Sequence, residues 1–235
     1  MSRRAQAHIR TAALKHNLAR VRAYAPESRV MAAIKADGYG HGALQVAAAL
    51  DDADALAVAT LNEAMQLRWH GEQRDIVILS GLNRAEDFFT AAEQGIQVVI
   101  HDPQHLACLG ALDAAQPLGV WLKLDTGMHR LGFPAAQAAE LLAHLQALPN
   151  LVVMGIVSHF ACADDPDSPL TSEQIKCFQR ATQGLHTAGS LANSAAIVSR
   201  TDSHADWVRP GIMLYGGCPV LGKTAQDYDL QPAMS

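Results

Sequence analysis

The chain has 235 residues, 49% of them hydrophobic and 17% charged, with a formal net charge of −5. That charged share is below the ~25% usual for soluble domains, and no Lys/Arg run stands out, which argues against nucleic acid as a partner. No stretch nears the ~18 uninterrupted apolar residues of a membrane span, and Met1 to Arg10 carries arginines without the apolar segment of a signal peptide.

Taken in chain order, the apolar runs alternate with amphipathic segments. A helix over Leu14–Tyr24 precedes the first run, Val30–Ile34. That run enters Lys35-Ala36-Asp37-Gly38-Tyr39-Gly40-His41-Gly42, with glycines at three alternate positions. An apolar run ended by glycines reads as a buried strand entering a loop. The lysine at its mouth suits either a side chain that snorkels before a turn or an amine used in Schiff-base chemistry. Further runs follow at Ala55–Val58, Ile76–Leu79, Gln97–Ile100, Val120–Leu124 and Val152–Val157, with fainter ones at Ser190–Ala192 and Trp207–Val208. Helical spacing falls between them. Leu61–Trp69 is one such segment, and Ala135–Leu148 has a stripe at Ala138, Leu141, Leu142, Leu145 and Leu148. A further helix runs through Leu185, where Thr171-x-x-Gln174 matches a capping box.

Strands alternating with helices predict parallel βαβ units. Eight of them fit a closed (β/α)8 TIM barrel, which typically needs ~250 residues; an open doubly wound sheet is the alternative, because the last two runs are weak. The barrel places chemistry beyond the C-terminal strand ends. Lys35, the Thr126–Arg130 segment, Ser158-His159, Asn193-Ser194 and Arg209-Pro210-Gly211 all follow predicted strands. The cysteines, Cys108, Cys162, Cys177 and Cys218, are dispersed with no Cys-x-x-Cys pair. They read as reduced thiols of a cytoplasmic protein, with no structural zinc. Two motifs point elsewhere. Gly217-Cys218-Pro219-Val220-Leu221-Gly222-Lys223-Thr224 spells a P-loop, but Pro219 sits inside it and no convincing helix follows. Asp125-Thr126-Gly127 resembles an aspartic protease motif without the second carboxylate such a dyad needs.

Five segments together carry a resemblance. They are Lys35–Gly42, Lys123-Leu124-Asp125-Thr126-Gly127-Met128-His129-Arg130-Leu131-Gly132, Ser158-His159-Phe160-Ala161, Asn193-Ser194-Ala195-Ala196, and Asp206 to Gly216. In this order they resemble the alanine racemases, pyridoxal-phosphate isomerases that interconvert L- and D-alanine. The resemblance implies that Lys35 holds the cofactor and moves a proton at Cα on the D-alanine face. It puts Tyr39, Ser194, Gly211 and Ile212 at the phosphate, with Asn193 beside them. Arg209 faces the pyridine nitrogen, His159 packs at the ring, Arg130 meets the substrate carboxylate, and Lys123 is a candidate for carbamylation. No metal is implied. The expected layout is an N-terminal strand over residues 1–10 at the seam with a further β domain, the barrel over 11–225, and the start of that β domain over 226–235. The family's second domain supplies a catalytic tyrosine for the L-alanine face, and none of Tyr24, Tyr39, Tyr215 and Tyr228 matches its motif. The chain alone is therefore expected to racemise alanine poorly or not at all. The full-length protein is expected as a cytoplasmic homodimer feeding D-alanine to cell-wall synthesis or to catabolism, while the fragment is compatible with a monomer. The alternatives are a stand-alone pyridoxal-phosphate carrier, favoured by length, and, more weakly, a decarboxylase of barrel-plus-β architecture.

Overall fold

Each apolar run becomes a strand in the computed structural model, which describes residues 6–235. The strands are β1 (Arg29–Ala33), β2 (Ala55–Val58), β3 (Asp75–Ile78), β4 (Ile96–Ile100), β5 (Leu118–Asp125), β6 (Phe133–Pro134), β7 (Leu151–Val157), β8 (Gly189–Asn193) and β9 (Trp207–Arg209). They lie in the order β4-β3-β2-β1-β9-β8-β7-β5, all parallel, and β4 pairs with β5 to close an eight-stranded barrel. Closure removes the open-sheet alternative. The two-residue β6, too short for any sequence pattern, lies against the end of β5, with Phe133 opposite Leu124.

The strands read as continuous apolar runs because both of their faces are covered. Val30, Ala32, Ile76, Ile78, Val98, Ile100 and Leu122 face outward, into one core with helix residues such as Leu14, Leu67, Phe88 and Leu145. The alternate residues Met31, Ala55, Val77, Val99, Trp121, Val157 and Trp207 fill the barrel. Trp121 and Trp207 meet edge-on at 5.8 Å, and Trp121 Nε1 donates to Gln97 Oε1 at 2.7 Å. Gly155 makes room for this floor: a Cβ there would come within 2.7 Å of the Trp121 ring and 2.4 Å of the Ala188 carbonyl oxygen. Fully burying one large side chain contributes roughly 1.5–3 kcal/mol. The paired tryptophans therefore make the lower barrel a rigid base for what lies above.

The outer helices include Thr11–Tyr24, Leu61–Trp69, Ala138–Gln146 behind a 3-10 turn at Ala135–Gln137, and Leu170–Thr182. The capping box expected at Thr171 and Gln174 does not form. The helix starts two residues earlier, at Leu170 after Pro169, so Thr171 lies inside the first turn. Its hydroxyl donates to the Cys162 carbonyl at 3.2 Å. A capping box forms instead at Thr60 and Glu63. The P-loop-like stretch follows a 3-10 turn at Ile212–Tyr215 and leads only to a second one at Ala225–Tyr228, so no helix N-terminus is there to hold phosphate. No helix among the described residues is long and apolar enough to cross a membrane.

Residues 8–10 meet residues 233–235. Ile9 bridges Met234 in antiparallel fashion, and Arg10 N–H donates to the Ala233 carbonyl at 2.8 Å. Residues 8–10 of the expected N-terminal strand thus pair with residues 233–235. Positions 1–5 of the expected N-terminal strand lie outside the described residues. Asn17 fastens the last stretch to the first helix. It is fully buried, its Nδ2 donates to the carbonyls of Leu214 (2.9 Å) and Gln231 (2.8 Å), and its Oδ1 accepts from Gln231 N–H (2.8 Å). Asn17→Ala leaves one buried carbonyl (Leu214) and two part-buried groups (Gln231) without their side-chain partner and should lower stability by ~1–3 kcal/mol. A urea midpoint matching the parent chain would refute this.

Candidate active site

Side chains two residues apart share a strand face. Going up the barrel, Met31 is followed on its face by Ala33 and then Lys35, Trp121 by Lys123, Val157 by His159, and Trp207 by Arg209. These upper residues, with Tyr39, Arg130, Asn193, Ser194, Gly211 and Ile212, line one cavity of about 490 Å³ at the C-terminal end of the barrel. All ten residues singled out in the sequence therefore border the same space.

The turn that carries Lys35 is left-handed. Ala36, Asp37, Gly38 and Tyr39 have φ of 53°, 53°, 62° and 53°. Non-glycine residues in that region cost roughly 1–2 kcal/mol each, so the neighbours must hold the turn. Glu63 Oε1 accepts from Ala36 N–H at 2.7 Å, and Asp37 Oδ1 accepts from Ala43 N–H at 2.7 Å. The Tyr39 ring stacks on Tyr215 at 4.7 Å, and Tyr215 Oη donates to the Ala33 carbonyl at 3.0 Å. Across the cavity the Tyr39 hydroxyl lies against Gly211, where a Cβ would approach Oη to 2.5 Å. Ser194 Oγ accepts from Gly211 N–H at 2.8 Å. That leaves the Ser194 hydroxyl hydrogen to donate but engages Gly211 N–H. Asn193 caps the short helix Ser194–Ser199 by accepting from Ala196 N–H at 3.1 Å.

The loop after β5 is shaped by Asp125. Its Oδ1 accepts from the N–H groups of Gly127, Met128 and His129 at 2.9–3.0 Å, and Oδ2 lies 2.9 Å from His129 Nδ1. Burial raises the pKa of this carboxyl, but these donors outweigh it and leave the pKa below the usual value. Asp125 thus shapes the loop that leads to Arg130 and is not half of a proteolytic dyad.

Arg209 is buried, and its two Nη atoms are occupied. Nη1 donates to Ser190 Oγ, and Nη2 to the Ser158 carbonyl, the Leu191 carbonyl (3.3 Å) and His159 Nδ1 (3.3 Å). Nε has no partner among the described residues. Burial lowers the Arg209 pKa to about 10, so it stays protonated near neutrality. The His159 pKa is pushed well below its ordinary value by burial and then by Arg209, Lys123 and Arg130. The imidazole is therefore neutral, which fits Nδ1 as acceptor and Nε2 as donor. Lys123, the candidate for carbamylation, is 9% exposed. Burial, Arg209 and Arg130 bring its pKa to about 7.

Three contributors escaped the sequence reading: Glu63 behind the Lys35 turn, Ser190 beside Arg209, and Gln174 behind His159. The Thr60-x-x-Glu63 spacing signalled the first. The other two, a buried serine inside the barrel and a buried glutamine on an outer helix, carry no comparable signal.

The donor set calls for an anion. Lys35, Lys123, Arg130 and Arg209 line the cavity with Asp164 as the one carboxylate. Excess positive charge in a partly enclosed site favours an anionic ligand. The Lys35 amine, Arg209 Nε and the Ser194 hydroxyl hydrogen have no protein partner among the described residues. Together they suit a group with an aldehyde, a ring nitrogen and a phosphate.

Comparison with known proteins agrees. The family described as "Alanine racemase, N-terminal domain" matches residues 9–219. The chain is 47% identical to an alanine racemase of Shewanella woodyi over 97% of its own length and 64% of the relative's. It is 48% identical to one of Thioalkalivibrio sulfidiphilus over 100% and 66%. Among solved structures, the biosynthetic alanine racemase of Pseudomonas aeruginosa superposes with a TM-score of 0.93 at 41% identity, covering 97% of this chain and 64% of that one. The Acinetobacter baumannii alanine racemase gives 0.92 at 36%, covering 99% and 66%. The chain thus spans between 64% and 66% of the length of these relatives.

Proposed function

Because the chain belongs to the alanine racemase family by its N-terminal domain, we propose that it is the cofactor-binding barrel of an enzyme that interconverts L- and D-alanine with pyridoxal phosphate. The observation that carries this reading is the convergence of Lys35, Lys123, Arg130 and Arg209 on one cavity. When bound, pyridoxal phosphate supplies an electron sink for the pair left at Cα as its proton departs.

The chain's own residues would do the rest. The Lys35 amine would hold the cofactor through its aldehyde and would accept or return the proton at Cα. Tyr39 and Ser194 offer hydroxyls to the phosphate, and Ile212 offers its backbone N–H. Gly211 N–H, engaged by Ser194, joins only if that hydroxyl turns. Arg209 would hold the pyridine nitrogen through Nε, and a guanidinium that stays protonated could there only donate. Neutral His159 packs at the ring without adding charge. Arg130, a forked and permanent cation, suits the substrate carboxylate. A lysine with a pKa of about 7 holds much of its amine unprotonated at neutral pH. That form adds to carbon dioxide, forming an N–C bond and releasing one proton, and the product is an anion beside Arg130.

A stand-alone carrier is less well supported, since Arg130 and Lys123 extend the cation set beyond what a phosphate and a ring need. The same family membership supports a homodimer of the whole protein and a cytoplasmic location. Borohydride reduction after incubation with pyridoxal phosphate should fix one cofactor mass on the peptide containing Lys35, and Lys35→Ala should lose it. Label on another lysine, or on none, would sink the assignment.

A further inference from the structure

We propose that Gln174 is a positioning residue that sets His159, and through it Arg209, against the cavity; the inference deepens the function proposed above and rests on it. Gln174 is fully buried on the helix Leu170–Thr182. Its Nε2 donates to the His159 carbonyl at 2.9 Å, and its Oε1 accepts from Ala161 N–H at 3.0 Å. Nε2 also lies 3.4 Å from Thr126 Oγ1, which pairs with Ser158 Oγ at 2.8 Å. On the other side of the same loop, Arg209 Nη2 donates to the Ser158 carbonyl and to His159 Nδ1. Residues 158–161 are thus gripped between an arginine facing the cavity and a glutamine behind them.

The chemistry of the two main-chain partners selects the side chain. A carbonyl only accepts and an N–H only donates, so the position needs one donor and one acceptor on a planar group. Glutamine meets this in one orientation. Methionine offers neither, and an ionised glutamate offers only acceptors, one of them facing a carbonyl. A protonated glutamate again offers one of each. Gly127 lets the side chain approach: its φ is +132°, and a Cβ there would come within 3.3 Å of Gln174 Cγ. The same side chain therefore ties the loop after β7 to the loop after β5 that carries Arg130.

The test is a pyridoxal-phosphate titration of the 235-residue chain, followed by the absorbance of the bound cofactor at pH 6 and pH 8.5. Gln174→Met should weaken affinity about tenfold at both values, the effect of losing one to two buried hydrogen bonds. Gln174→Glu should match Gln174→Met at pH 8.5 and return to within about twofold of the parent at pH 6, because burial raises a carboxyl pKa into this range. The ratio to the parent at each pH removes the titration of other groups. Affinity of Gln174→Met within twofold of the parent would overturn the proposal, as would a Gln174→Glu ratio that ignores pH. If Gln174→Met does not fold, the Gln174→Glu comparison still decides. A readout independent of cofactor is the His159 ring nitrogen signals of the cofactor-free protein, which should shift in Gln174→Glu at pH 8.5 and return at pH 6. Unshifted signals would overturn the role. If the parent binds no cofactor at all, the proposed function fails, and the ring signals still decide on Gln174.

Discussion

In heavy water, D-alanine incubated with the 235-residue polypeptide and pyridoxal phosphate should exchange its Cα hydrogen at least ~100-fold faster than it inverts, because a positioned acid or base is worth about 10²–10⁴ in rate on the face it serves. On the proposed function, Lys35 would serve one face: it would take the proton, trade it with solvent, and return deuterium to the side it came from. Inversion needs a second group on the other face, and the tyrosines of this polypeptide are committed elsewhere. Tyr215 donates to the Ala33 carbonyl, and burial pushes its pKa far up. Tyr24, the last residue of the first helix, pairs edge-on with Tyr228 at 6.4 Å. Tyr39 lines the cavity, but its hydroxyl lies against Gly211, and burial raises its pKa too. Proton NMR follows exchange, and chiral chromatography follows inversion. Lys35→Ala should abolish both. Inversion that keeps pace with exchange would show that these 235 residues hold both groups after all.

The barrel was legible because parallel strands covered on both faces leave long apolar runs. The runs faded where the inward side chains turn polar: β8 carries Ser190 inward, and β9 ends at Arg209. The polar residues after the strand ends were legible through the barrel's geometry and the family resemblance together. The backbone of the Lys35 turn was only half legible. Three glycines announced positive φ at Gly38, Gly40 and Gly42, whereas Ala36, Asp37 and Tyr39 adopt it without any such signal. Tertiary contacts impose it there, Glu63 from a neighbouring helix above all. Lys123 shows a different failure. Its position at a strand end allowed a solvated cation, yet counting by twos from the buried Trp121 already turns it inward.

That burial makes Lys123 the source of the largest stability effect. Lys123→Met should stabilise the cofactor-free chain by ~3 kcal/mol at pH 7, taking ~1.36 kcal/mol for each pKa unit, and the gain should shrink toward zero by about pH 10.5. Burial, Arg209 and Arg130 bring the folded pKa to about 7 from an ordinary 10.5, and the attraction of the Asp125 carboxylate offsets them only in part. Between these two values the unfolded chain binds the proton and the folded chain does not, so stability rises with pH across that window. Below pH 7 both states hold the proton and the penalty is complete. The full shift corresponds to nearer ~4–5 kcal/mol; the amine borders an open cavity, and relaxation toward solvent reduces that figure. Methionine fills similar volume without a charge. Urea midpoints at pH 6.5, 8.5 and 10.5 give the difference between the two chains, in which all other titrations cancel. A gap that stays constant with pH would mean that the folded chain keeps Lys123 near its ordinary pKa. The same argument extends to carbamylation. Bicarbonate at pH 8 should raise the midpoint of the parent chain and leave Lys123→Met unmoved, because conversion of the amine to an anion replaces repulsion from Arg130 and Arg209 with attraction.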